Sequence, residues 1–91
     1  MIKVITKTGL EIEVDEAVLN DMEVVDAIAM CDSENEFEKV KGISILSTKI
    51  FGKDKKKVYD HVRTEDGRVP MDAMEKEILD IFEAIGKAGK N

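Results

Sequence analysis

Apolar residues recur at every second position over the first fourteen residues, which indicates extended strands rather than helices. The recurring positions form two sets, Ile2 and Val4, which Thr6 can extend, then Leu10, Ile12 and Val14. Thr8 and Gly9 separate the two sets, and a glycine turn between alternating segments is typical of a β-hairpin. We therefore predict a hairpin over residues 1–14. Because a lone hairpin is marginally stable in water, it must pack on helices or pair with another chain.

After the hairpin, apolar residues recur at intervals of three and four, and this spacing predicts helices over residues 15–86. Asp15 is the expected N-cap of a first helix that ends near Asp32. The predicted buried face of this helix comprises Val18, Met22, Val25 and Ala29, flanked by Leu19 and Ile28. The next stripe comprises Phe37, Val40, Ile43, Leu46 and Ile50. Gly42 disfavours a helix there by about 1 kcal/mol relative to alanine, and Gly52 is the expected stop.

Two more helices are predicted in the second half of the chain. A short one covers residues 54–63, with an apolar face of Val58, Tyr59 and Val62. Pro70 follows a turn at Asp66 and Gly67, and it suits the first turn of the last helix, where a missing N–H is tolerated. The apolar face of the last helix comprises Met71, Met74, Ile78, Phe82 and Ile85, and its other faces carry Glu75, Glu77, Asp80 and Glu83.

These patterns together predict a mainly α fold, with an N-terminal β-hairpin (1–14) followed by a bundle of about four helices (15–86). Apolar residues make up 43% of the 91 residues, which is enough for the core of a single domain covering 1–91 and too many for a disordered chain. Gly86 is expected to end the last helix, and residues 87–91 are expected to form a flexible tail.

The sequence contains neither an apolar segment of signal-peptide or membrane-spanning length nor a second cysteine, and this bears on the compartment. The chain starts MIKVITKTG, without an apolar stretch of signal-peptide length, and no apolar run approaches the ~20 residues needed to span a bilayer. Cys31 is the single cysteine, so no intramolecular disulfide can form. We therefore expect a cytosolic protein without a membrane segment.

Charge is distributed unevenly around a net value of −6. Residues 1–35 carry nine acids against two lysines, whereas residues 53–63 carry five cations against two acids. This basic patch could contact phosphate groups of a nucleic acid, dock on an acidic partner, or simply remain solvated. The overall negative charge and the lack of a recognition-helix signature argue against nucleic acid.

Residues suited to catalysis or metal binding are few. A catalytic pair would need His61 and Cys31 to meet, and their spacing gives no indication of this. One His and one Cys cannot complete a zinc site without carboxylates, and the acidic run 32–36 lacks the spacing of a calcium loop. The glycines form neither a dinucleotide fingerprint nor a phosphate loop. We therefore predict no catalytic, metal-binding or cofactor-binding residue, and no enzymatic activity.

The segment Tyr59–Pro70, YDHVRTEDGRVP, resembles a signature of tail assembly chaperones from phages and prophages of Gram-positive hosts. Residues 21–29 resemble their acidic first helix, residues 81–91 resemble their ending, and residues 33–52 match least. The resemblance implies a mainly helical fold without catalysis or cofactors, acting in the host cytoplasm. It also implies binding to the tape measure protein and the major tail protein during tail assembly, with self-association in some members.

The residues predicted to contact a partner combine the basic patch with nearby apolar positions. They are Lys55, Lys56, Lys57, Tyr59, His61, Arg63, Met71 and Met74. Methionine fills irregular gaps in cores and is also common on adaptable binding surfaces, so Met71 and Met74 fit either role. Two alternative functions stay open at this point, a different small phage interaction module, such as a head–tail connector or regulator, and a nucleic-acid-binding protein.

Overall fold

The computed structural model describes residues 1–88, which form a two-stranded hairpin followed by helices. The strands are β1 (Ile2–Ile5) and β2 (Glu11–Val14), and the α-helices are α1 (Met22–Cys31), α2 (Glu36–Phe51), α3 (Lys55–Val62) and α4 (Met71–Ala88). Short 3-10 helices occupy Glu16–Asn20 and Gly52–Asp54. The predicted fold class, mainly α with an N-terminal hairpin, is confirmed.

The hairpin forms as its alternating pattern predicts. β1 and β2 are antiparallel, with Val4 opposite Ile12. Gly9 has a φ of 88°, which glycine adopts at no steric cost, and its N–H donates to the carbonyl of Thr6 at 2.9 Å. The inward side chains of the hairpin are Val4, Leu10, Ile12 and Val14. They are buried in one core together with residues from α1, α2, α3 and α4.

The first predicted helix is interrupted, and its predicted buried face is wrong except at Val18, which packs half-buried against the core. Asp15 caps only the 3-10 helix, and Asp21, in an extended conformation, begins α1 by accepting a hydrogen bond from the N–H of Glu23 at 2.9 Å. This break shifts the helical phase, so α1 buries Val24 and Ala27. The positions expected inside are exposed instead, namely Met22 (68%), Val25, Ile28 and Ala29.

Gly42 lies inside α2 at the place where α1 approaches most closely. A Cβ at this position would lie 2.7 Å from the carbonyl oxygen of Ala27 and 2.9 Å from Sγ of Cys31. The glycine thus permits close helix packing. The predicted face of α2 is buried only at Ile43, Leu46 and Ile50, whereas Phe37 (88% exposed) and Val40 are exposed.

α3 and the turn that follows it agree with the prediction. Gly67 adopts a φ of 92° in a turn where the N–H of Thr64 donates to the carbonyl of Arg68 at 2.8 Å. Pro70 directly precedes α4 and accepts a hydrogen bond from the N–H of Met74 at 3.2 Å.

α4 departs from the prediction at its end and on one face. It continues through Gly86 to Ala88, so the predicted stop at Gly86 is wrong, and the rest of the predicted tail (89–91) lies outside the described residues. Glu77, expected on an outer face, is buried (1% exposed) because it lies three residues after Met74 and four before Ile81, on the core side of the helix. None of the helices described in residues 1–88 is both long and apolar enough to cross a membrane.

Candidate partner-binding surface

α1, α2 and α4 enclose a shallow apolar hollow of about 90 Å³, which we call the central groove. It is defined by Ile28, Cys31, Ile43, Leu46, Glu75, Ile78, Leu79 and Phe82. Buried side chains of α2, Ile43 and Leu46, contribute to its base, while Ile28 of α1 and Leu79 of α4 (59% exposed) remain open to solvent. The groove is therefore a place where three helices leave apolar surface uncovered.

A second hollow of about 290 Å³, the Tyr59 hollow, adjoins the central groove. It is lined by Val40, Ile43, Ser44, Ser47, Tyr59, Val69, Met71 and Met74, so Ile43 belongs to both hollows. On α4, Met71, Glu75 and Leu79 follow one another at intervals of four residues and lie on the same side of the helix. The two hollows therefore form one strip of largely apolar surface beside α4.

Single exposed apolar residues are normal on protein surfaces, but contiguous ones mark interaction sites. In this strip Val40, Met71, Ile28 and Leu79 are all exposed and line adjoining hollows. Phe37 lies one helical turn before Val40 on α2 and extends the exposed apolar surface at that end. The strip fits an interaction surface better than a random scatter of apolar side chains.

Four of the eight predicted contact residues lie at the Tyr59 hollow. Tyr59, Met71 and Met74 line it, with Met74 buried at its base and Met71 exposed. Lys55 is adjacent, since its Nζ lies 5.5 Å from the centre of the Tyr59 ring and donates to Oγ1 of Thr48 at 2.9 Å.

The other basic residues of α3, and Arg63 directly after it, are engaged within the molecule. Lys56 and Arg63 pair with Asp60 at 2.9 and 3.2 Å, and these two partners hold the pKa of the Asp60 carboxyl below its ordinary value. Lys57 donates to the carbonyl of Glu11 at 2.6 Å and so ties α3 to β2. The basic patch is thus partly neutralised and partly structural, although exposed ion pairs of this kind contribute little stability.

His61 lies against the hairpin turn and not at the Tyr59 hollow. Its Nε2 is 2.9 Å from Oγ1 of Thr8, and the same hydroxyl donates to Oε2 of Glu77 at 2.8 Å. With the Thr8 hydroxyl donating to Glu77, the contact with His61 fits the tautomer that carries a hydrogen on Nε2. The prediction grouped His61 with the partner-contact residues, whereas the structure places it in a contact between the hairpin, α3 and α4.

No catalytic arrangement emerges from the residues that the structure describes. Cys31 lies in the central groove and His61 lies at the hairpin turn, so the structure does not bring them together as a catalytic pair. A histidine that donates to Thr8 does not act as the base for its hydroxyl. Within residues 1–88, no cluster of three or more His, Cys, Asp or Glu is placed to hold a metal ion.

Cys31 is expected to react with iodoacetamide only at more alkaline pH than a free cysteine does. Burial raises the pKa of its thiol, the nearby negative charge of Glu75 raises it further, and Lys39 lowers it by a smaller amount. The reactive thiolate therefore forms later as pH increases. Measuring the alkylation rate against pH checks this, and Glu75→Gln should move the midpoint to lower pH. Glu83→Gln removes an equal charge that faces Lys7, and it should leave the midpoint unchanged.

Comparisons with known proteins assign no family to this chain. Searches against protein-family models, curated proteins and solved structures found no match. The resemblance of residues 59–70 to tail assembly chaperones therefore stays a prediction from the sequence.

Proposed function

We propose that the protein is a non-enzymatic tail assembly chaperone, which binds the tape measure protein of a phage in the host cytoplasm while tail tube subunits assemble. The observation that supports this proposal is the uncovered apolar strip formed by the central groove and the Tyr59 hollow. The resemblance of Tyr59–Pro70 supplies the class of partner. Neither observation calls for a bound cofactor or a chemical step.

The shape of the strip suits an α-helix of the partner. Three helices leave a depression between them, and a fourth helix can lay its apolar face into such a depression with anchors at intervals of three and four residues. A tape measure protein is long and helical and tends to aggregate before the tail tube encloses it. Covering its apolar faces one segment at a time would keep it soluble until that point.

The composition of the strip favours reversible binding over permanent assembly. Its exposed side chains are those of Ile28, Val40, Ser44, Met71 and Leu79. The aromatic residues that line the two hollows, Tyr59 and Phe82, are half-buried. Binding hot spots are enriched in Trp, Tyr and Arg, and this strip offers few of them. Methionine adapts to different shapes, which suits a surface that must meet several segments of a long partner.

The basic patch gives less support to nucleic-acid binding. Lys56, Lys57 and Arg63 already bind groups of the chain itself, which leaves fewer free cations for phosphate than the sequence suggests. A nucleic-acid site also depends on several converging cations, since each phosphate contact adds a modest electrostatic gain. We therefore do not favour this alternative.

Co-expression with the tape measure protein tests the proposal. We expect the tape measure protein to stay in the cleared lysate when this chain is present and to pellet when it is absent. A small acidic protein of similar charge, expressed at the same level, serves as the control for nonspecific solubilisation. If the tape measure protein pellets equally in all three cases, the proposed function is wrong.

A further inference from the structure

We propose that the central groove accepts an amphipathic helix whose apolar stripe is flanked by lysine or arginine. This inference rests on the proposed function and names the chemistry of the segment that the groove selects. It is carried by the distribution of charge around an otherwise apolar groove.

Glu75 is the single charged residue among those that define the groove. Its side chain is half-buried and takes part in no hydrogen bond or ion pair within residues 1–88. A partner helix seated in the groove would withdraw this carboxylate further from water. A buried carboxylate that stays unpaired is costly, so the partner must present a positive group to it or lose affinity.

The α1 wall of the groove brings no positive charge to pair with Glu75. α1 contains no lysine or arginine, and its Glu23 is paired with Lys49. Its Asp26 lies two residues before Ile28 and therefore on the side of α1 away from the groove. Lys39 is the opposing charge near the groove, and its effect on the Cys31 thiol is smaller than that of Glu75. Glu75 is therefore the charge that a partner helix meets in the groove, and it favours a cationic helix over an acidic one.

A second copy of this chain is a poorer fit to the same groove. The exposed apolar residues of α1 and α4 lie near acids, including Asp26 and Glu75. α2 exposes Phe37 and Val40, and its exposed end carries Glu36 and Glu38 as well as lysines. Placing such a face in the groove would bring like charges together. α3 is basic, but its apolar residue Val58 is already buried in the core of its own chain.

The full-length protein and three synthetic helical peptides of equal length test the inference. The peptides share one leucine stripe and differ in their flanking residues, which are lysine, glutamine or glutamate. Affinity is measured by fluorescence of the labelled peptide, and occupancy of the groove is measured by the rate of Cys31 alkylation at fixed pH. We expect the lysine peptide to bind about tenfold more tightly than the glutamate peptide and to slow alkylation.

Two variants separate the groove from nonspecific attraction to an acidic protein. Glu75→Gln should remove most of the preference for the lysine peptide, whereas Glu83→Gln, which deletes the same charge outside the groove, should preserve it. Equal binding of the three peptides, or binding that leaves Cys31 fully reactive, would overturn the inference. Protection of Cys31 that rises with protein concentration alone would show that a second copy occupies the groove instead.

Failure of this inference and failure of the proposed function give different results. The peptides share no sequence with the tape measure protein by design, so they report on the groove even if that protein does not bind. Solubilisation of the tape measure protein without any peptide preference would keep the proposed function and reject the cationic helix.

Discussion

Replacing Ile78 with aspartate is expected to unfold the protein at room temperature. Ile78 lies on the core side of α4, is 3% exposed, and belongs to the hydrophobic core. The substitution removes a buried isoleucine, which contributes about 1.5–3 kcal/mol, and places an unpaired carboxyl where desolvation costs several kcal/mol more. A domain of this size has a total stability of only about 5–15 kcal/mol. Circular dichroism at 222 nm and a thermal melt measure the loss of helix.

The neighbouring residue provides a matched control. Leu79 is 59% exposed, so Leu79→Asp introduces the same charge one position along α4 without burying it. We expect this variant to keep its helical signal and to melt close to the unchanged protein, because exposed substitutions change stability by about 0.5 kcal/mol or less. A melting curve for Ile78→Asp that matches that of Leu79→Asp would show that this face of α4 does not form the core.

Replacing Gly42 with alanine is expected to destabilise the protein although alanine favours a helix. The added methyl group would lie 2.7 Å from the carbonyl oxygen of Ala27, a backbone atom that can retreat only if α1 moves. Overpacking of this kind costs about 1–3 kcal/mol. The gain in helix propensity from glycine to alanine is about 1 kcal/mol, so it offsets only the lower end of this cost. Because Sγ of Cys31 would also lie 2.9 Å away, we expect a net loss of up to about 2 kcal/mol, measured by urea denaturation.

Gly86 offers the opposite case within the same chain. A Cβ there meets no atom within 4 Å, and the residue lies inside α4. Gly86→Ala is therefore expected to stabilise the protein by up to about 1 kcal/mol through helix propensity alone. Stabilisation by both alanine substitutions would contradict the close packing of α1 on α2 at Gly42.

The sequence correctly predicted the turns and helix ends that depend on backbone preferences of a few neighbouring residues. The hairpin turn at Gly9, the stop at Gly52 and the bounds of α3 all follow from backbone preferences within a few residues. Periodicity also located α4, whose apolar stripe is the most regular in the chain. These elements needed no knowledge of what they pack against.

The errors arose where packing between helices decides the outcome. α1 has two candidate apolar faces, and only the position of α2 selects Val24 and Ala27 over Met22 and Val25. Glu77 was assigned to the surface because of its charge, although its spacing from Met74 places it on the core side. Oε2 of Glu77 accepts a hydrogen bond from Thr8, a contact between residues 69 positions apart, whereas Oε1 is buried without a partner among the described residues.

The sequence predicted only the part of the candidate surface whose residues lie close together along the chain. Tyr59 and Met71 are close in sequence to the basic patch, and the structure does place them in one hollow. The central groove joins Ile28 and Leu79, which are fifty-one residues apart and come together only through α2. Sequence reasoning could identify each helix but not the gap left between three of them.

Capture of the tape measure protein by variants of the groove tests the central claim most directly. Affinity-tagged forms of the unchanged chain, Leu79→Asp and Met22→Asp are each co-expressed with the tape measure protein. Met22 is a comparably exposed apolar residue that lies outside both hollows, so it controls for an added charge on the surface. We predict that Leu79→Asp fails to capture the tape measure protein while the unchanged chain and Met22→Asp both capture it. Equal capture by all three forms would contradict the assignment of the groove as the binding surface.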